Sequence, residues 1–244
     1  MLSNTKTRPT EIERERLYVI GDIHGRLDLL DHMIDKINHD LKKFPMGSCL
    51  TVTIGDYIDR GPSSRSVVDR LARNPFPTEF IALKGNHDGL FQEFLQNPSV
   101  ADVWRRLGGL ETLHSYGVPI KDVMHGKNYE TASELLRISL PKPHLEFFNS
   151  LRECLSIGNY FLCHAGVRPG IPLSKQCRDD LLWIREPFLR SNIDFSKIIV
   201  HGHTPVWQPE VLSNRINIDT GAYITGRLTC AVLEPNEVRF LAVT

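Results

Sequence analysis

Five short apolar runs in this chain each end in an aspartate, asparagine or histidine flanked by glycine, and this repeated ending constrains the fold more than any other feature. Leu17–Ile20 leads into GDIHG (Gly21–Gly25), Cys49–Ile54 into GDYIDRG (Gly55–Gly61), and Glu79–Leu83, after Lys84, into GNHD (Gly85–Asp88). Two later runs lead into CHAG (Cys163–Gly166) and HGHTP (His201–Pro205). One such ending is ordinary turn chemistry, since Asn, Asp and Gly all favour turns. Five of them argue for a common destination. In open α/β sheets ligands bind beyond the carboxyl ends of the strands, and glycine lets the backbone turn sharply enough there to gather short side chains.

The segments between the runs carry helical spacing. Leu30, Met33, Ile34, Ile37 and Leu41 fall on one face, as do Val67, Val68 and Leu71 after the serines of SSRSVVDRLAR, which are placed to cap a helix. The order β-α-β-α-β predicts an α/β core with a partly parallel sheet. From about Phe91 to Leu151, helical pieces (ASELLRISL, PHLEFFNSL) are broken by Gly108-Gly109, Gly117 and Pro141–Pro143, which predicts a mainly helical insertion beside the core. Trp104, Leu107 and Leu110 read there as packing residues. The last third returns to strands and ends in an antiparallel pair, LTCAVLE and VRFLAV. The expectation is one domain over residues 1–244, with a polar lead-in over residues 1–16.

Bulk properties exclude several functions. A formal net charge of zero gives no field for nucleic acid or for an anionic membrane surface. No apolar run approaches the roughly 18 residues of a membrane span, and the N-terminus lacks the apolar stretch of a secretory signal. The five cysteines are scattered and show no CxxC spacing, which suits reduced thiols and predicts a cytoplasmic protein.

Taken together, GDIHG, GDYIDRG and GNHD, followed by LCHAGV, LLWIRE, HGHTP and NIDTGA, resemble the motifs of the metallophosphoesterases. Within these they resemble the phosphoprotein phosphatases, especially the short bacterial and phage-type serine/threonine phosphatases, from about Leu17 to Leu233. The resemblance implies an α/β fold with a central β-sandwich flanked by helices and a two-metal centre. Asp22 and His24 would hold the first ion, Asp56 would bridge, and Asn86, His164 and His203 would hold the second. His201 is not expected among the ligands. Such oxygen and nitrogen donors suit two divalent ions of manganese, or of iron or zinc, rather than calcium. The two ions outweigh Asp22 and Asp56 even with a hydroxide between them, leaving the site attractive to phosphate.

The same resemblance makes His87 the general acid and Asp59 the carboxylate that orients it, while Asp88 braces the loop. Arg60 and Arg185 would grip substrate phosphate, with Arg168 and Tyr223 as further candidates. Lys84 stands where relatives often have arginine. The implied reaction is hydrolysis of phosphoserine or phosphothreonine, and also phosphotyrosine, in a phosphoprotein or phosphopeptide, by direct attack of a water held between the metals. A cysteine-based route finds no Cys-x5-Arg cradle, since only four residues separate Cys163 from Arg168. The alternative on the same scaffold is a symmetrical diadenosine tetraphosphatase, which usually lacks an aspartate at the position of Asp59. A non-enzymatic scaffold would show erosion at His87, Asp59 or Asp56, and none is seen. His32, His39, His114, His125 and His144 read as surface or internally satisfied groups. The oligomeric state is open.

Overall fold

The first apolar runs become parallel strands because both of their faces are covered. In the computed structural model, which describes residues 16–235 and 237–244, β1 (Arg16–Ile20) is buried at every position. It pairs in parallel with β2 (Cys49–Thr53), and β2 pairs in parallel with β3 (Glu79–Ala82). Parallel neighbours need long crossovers, which α1 (Leu27–Lys43) and α2 (Ser64–Leu71) supply. The helix α3 (Asn86–Phe94) follows β3 directly.

A second sheet is built from β4 (Cys154–Ile157), β5 (Tyr160–Cys163), β6 (Ile198–His201), β7 (Glu210–Val211) and β8 (Arg215–Asn217). Its order is β4-β5-β6-β8-β7, with the three central strands parallel and both edges antiparallel. The chain then returns to the first sheet through β9 (Leu228–Glu234) and β10 (Glu237–Val243), giving the order β10-β9-β1-β2-β3. Leu17 and Val19 pack with Leu162, Val200 and Ile216 between the two sheets. The alternate residues Tyr18 and Ile20 pack with Leu30, Met33 and Ile37 of α1 on the outer face. The result is the sandwich flanked by helices that the motifs implied.

Four details differ from the sequence reading. Arg16 belongs to β1 rather than to the lead-in, and residues 1–15 lie outside the described residues. Burial of Arg16 is compensated by bonds to Glu234 (2.5 Å) and to the Phe44 carbonyl (2.7 Å). The helical segment begins at Asn86 rather than near Phe91, because the Asp88 carboxylate accepts the Gly85 N–H at 2.8 Å and closes the first turn of α3. It does not stand beside the core: Phe91, Phe94, Trp104 and Phe148 share one apolar cluster with Met33 and Ile37. Ser63 makes no side-chain cap for α2, and Ser64 instead accepts the Asp59 N–H at 3.0 Å.

Candidate active site

The exits of β1, β2, β3, β5 and β6 meet, and glycine permits the closest approaches. A Cβ at Gly85 would strike the Asp56 carboxylate and backbone, and one at Gly202 would strike the Asp22 carboxylate. Eight non-glycine residues among those described have positive φ, and five of these are His24 (45°), Asp56 (53°), Asp59 (71°), Arg60 (66°) and His203 (65°). Such backbone costs on the order of 1–3 kcal/mol per residue and persists only where surrounding bonds over-determine it. Here the Ile23 and His24 amides both donate to the Asp56 carbonyl, at 3.1 and 2.8 Å. Asp88 braces the same loops, accepting from the Asp56 amide at 2.9 Å as well as from Gly85.

Asp56 lies at the centre. Its Oδ2 is 3.4 Å from His24 Nε2 and 3.4 Å from His164 Nε2. Asn86 Oδ1 is 2.9 Å from both His164 Nε2 and His203 Nδ1, and those two nitrogens are 3.2 Å apart. The other nitrogens of His24 and His164 face backbone carbonyls, of Ile58 at 2.8 Å and Ile54 at 3.0 Å. A carbonyl only accepts, so each Nδ1 carries the hydrogen and each Nε2 turns its lone pair inward. Lone pairs of imidazole, carboxylate and amide oxygen thus converge with few hydrogens between them, an arrangement suited to cations. Asp22 Oδ1 and His203 Nε2 are buried without hydrogen-bond partners among the described residues. His24, Asp56 and His87 form one cluster of donor atoms within 4.8 Å, and Asp56, His164 and His203 form another. The residues present therefore fit two metal ions. Asp22 is outside the first cluster and His87 is inside it, so His87 stands where a ligand as well as a proton donor could stand.

Burial keeps the imidazoles neutral and ready to bind metal. It pushes His24 down to about 3 and, reinforced by His164, His203 down to about 2. Burial, then Asp219 and Asp56, push Asp22 well above the usual carboxylate range. Burial and Asp56 lift Asp219 to about 6, against a bond from the Gly221 amide. Asp219 was not singled out from the sequence, although NIDTGA is a sixth glycine-flanked exit, after β8. It joins Asp22, Asp56, Asp59 and Asp88 among the buried carboxylates around the site.

These shifts predict the acid stability of the metal-free protein. His24, His203 and His201 (about 3, through burial) have folded pKa values below the unfolded value of about 6.5. Their contribution is complete above about 6.5 and is lost as pH falls, by about 1.4 kcal/mol per group per pH unit. Burial lowers His164 and His144 as well, so five histidines stand against Asp22, Asp88, Asp219 and His87, which are raised and act in the opposite sense. The melting temperature of chelator-treated protein should therefore fall between about pH 7 and pH 5. A flat or rising profile would contradict the neutral burial of these histidines.

His87 Nδ1 lies 2.7 Å from Asp59 Oδ2, and both side chains are buried. Burial alone would lower the histidine's pKa, but the carboxylates of Asp56 and Asp59 outweigh it and hold the pKa above its ordinary value. Arg60 Nη2 is 3.1 Å from His87 Nε2, so the arginine and a proton compete for that nitrogen. The Arg60 guanidinium also stacks 4.5 Å over Tyr223, whose ring is 5.3 Å from that of His24. Arg185 is exposed and donates to Thr204 Oγ1 and the His203 carbonyl, each at 3.4 Å. Arg168 is paired with Asp180 at both ends of its fork and is not turned to the site. His201 packs edge-on against Phe188, 4.9 Å between ring centres. His144 is buried with its Nδ1 2.9 Å from the Tyr116 hydroxyl. Lys84 borders a cleft of about 450 Å³ together with Asn86, Arg178 and Trp183. Trp104 and Thr112 also reach Asp59, though neither carried a sequence signal beyond packing.

The sequence profile of the calcineurin-like phosphoesterases matches residues 15–241. The chain is 28% identical to the asymmetrical bis(5'-nucleosyl)-tetraphosphatase PrpE of Anoxybacillus flavithermus, covering 86% of this chain and 87% of that protein. It is also 28% identical to serine/threonine-protein phosphatase 2 of Escherichia coli K12, covering 87% and 90%. A crystal structure named provisionally as a diadenosine tetraphosphatase superposes with a TM-score of 0.65 at 20% identity, covering 94% of each chain.

Proposed function

The chain belongs to the calcineurin-like phosphoesterase family, and from that premise we propose that it is a metal-dependent phosphomonoesterase acting on phosphoserine and phosphothreonine in proteins, and also on phosphotyrosine. The fold is one that holds two divalent metal ions. Asp22, His24 and Asp56 would hold one, and Asp56, Asn86, His164 and His203 the other. Bound ions supply Lewis acidity, drawing phosphate in and making water acidic enough to attack in line. The donor set favours manganese, with iron and zinc also compatible. Arg60 and Arg185 would grip the phosphate oxygens through charge-assisted bonds. Phosphate taken up by Arg60 frees His87 Nε2 to carry a proton.

The observation that carries this reading is the buried His87–Asp59 pair at 2.7 Å. A seryl or threonyl oxygen is a poor leaving group and gains from a placed proton donor. A nucleotide's phosphate leaves readily and needs one far less. The five free cysteines support a reducing, cytoplasmic setting. No helix among the described residues is long and apolar enough to cross a membrane. The second reading is cleavage of dinucleoside tetraphosphates, favoured by the equal identity to PrpE, and it would be of the asymmetrical rather than the symmetrical kind.

Metal-stripped protein supplied with Mn²⁺ should release phosphate from phosphoserine and phosphotyrosine peptides. Diadenosine tetraphosphate, run alongside, should turn over more slowly. Turnover of the dinucleotide alone would replace the first reading by the second.

A further inference from the structure

We infer that Trp104 and Thr112, both from the helical segment, are positioning residues that clamp Asp59 and through it aim His87. Asp59 has no exposed surface, and a buried carboxylate is costly unless each oxygen meets a donor. Trp104 Nε1 donates to Asp59 Oδ2 at 2.8 Å, on the same oxygen that faces His87. Thr112 Oγ1 donates to Asp59 Oδ1 at 2.5 Å and accepts the Asp59 N–H at 2.9 Å. One threonine thus holds both ends of a residue whose φ is 71°. With both oxygens engaged the carboxylate cannot swing about its last torsion, so Oδ2 stays on His87.

The clamp is itself fixed. The Trp104 ring lies 4.9 Å from that of Phe94 and 6.0 Å from that of Phe91, and a Cβ at Gly109 would strike the indole. The same segment holds the next residue, because the Arg60 amide donates to the Gly108 carbonyl at 3.2 Å. A buried indole N–H needs an acceptor, and here the acceptor is the carboxylate oxygen that faces His87, a contact that phenylalanine would forgo. The inference rests on His87 acting as general acid, as proposed above.

The test uses the full chain with Mn²⁺ and compares Trp104→Phe, Thr112→Val and His87→Asn with the unaltered protein. Each is assayed on an aryl phosphate and on a phosphorylated alkyl alcohol. Both clamp variants should lower kcat on the alkyl ester by about 10- to 100-fold, with KM within about twofold. The aryl ester, whose leaving group needs little protonation, should lose less than about threefold. Equal losses on both esters, or no loss on either, would overturn the clamp, and a rise in KM alone would do the same. A leaving-group preference in His87→Asn that is absent from both clamp variants would overturn the clamp and spare the acid. No such preference in His87→Asn would overturn both. Should Trp104→Phe fail to fold, Thr112→Val, which exchanges a hydroxyl for a methyl group, decides the outcome.

Discussion

Replacing His87 by asparagine is expected to lower turnover of phosphoserine peptides by about 10²–10⁴ while leaving the metal content unchanged. The geometry allows two roles for this histidine, and the measurement separates them. Its Nε2 is 3.8 Å from Asp56 Oδ2, so it clusters with His24 and Asp56 as a ligand would. Its Nδ1 is bound to Asp59, and the two nearby carboxylates hold its pKa up, as a proton donor requires. The Asp59 contact serves either role, since a carboxylate orients a ligating imidazole as readily as it holds a protonated one, and metal content is what separates them. Metal analysis together with kinetics on alkyl and aryl esters decides between them. Loss of one metal equivalent would make His87 a ligand, and unequal loss on the two esters would make it the acid.

Replacing Asp56 by asparagine should have a different signature. Burial alone would raise the pKa of this carboxylate, but His164, His87, His24 and His203 together hold it below the usual carboxylate range. It is the one group shared by both donor clusters. Losing an outer hydrogen-bond partner of a metal ligand already costs about 10–100-fold in affinity, so losing a shared ligand should cost more than about 10²-fold. Activity should fall with occupancy on alkyl and aryl esters alike. The metal-free variant should keep its fold, because asparagine is isosteric and relieves the repulsion that raises Asp22 and Asp219. Unchanged occupancy, measured by elemental analysis of the dialysed protein, would remove Asp56 from its bridging position.

The strands were legible in the sequence because their causes are local. LYVI and CLTVTI are continuous apolar runs of the kind that a strand covered on both faces requires. The edge strands of the second sheet were not: Cys154–Ile157 and Glu210–Val211 are short and only partly buried, and they were absent from the sequence reading. The helical segment was legible as helix but not as a wall of the site. Its apolar residues look the same in sequence whether they cover a neighbouring sheet or one another. Only the cluster joining Phe91, Phe94 and Trp104 to Met33 and Ile37 distinguishes the two.

By itself the sequence determined the chemistry at the strand exits: which carboxylates, imidazoles and amide stand beside glycine, and that a cation-binding, phosphate-directed centre is what they suit. Those are properties of residue type and of neighbours one or two positions away. The tertiary structure alone decided that Asp219 joins Asp22 and Asp56 in one buried group. It also decided that Asp59 is held from 45 and 53 residues away by Trp104 and Thr112. Burial and long-range hydrogen bonds have no local signature, because they exist only once the chain has folded back on itself.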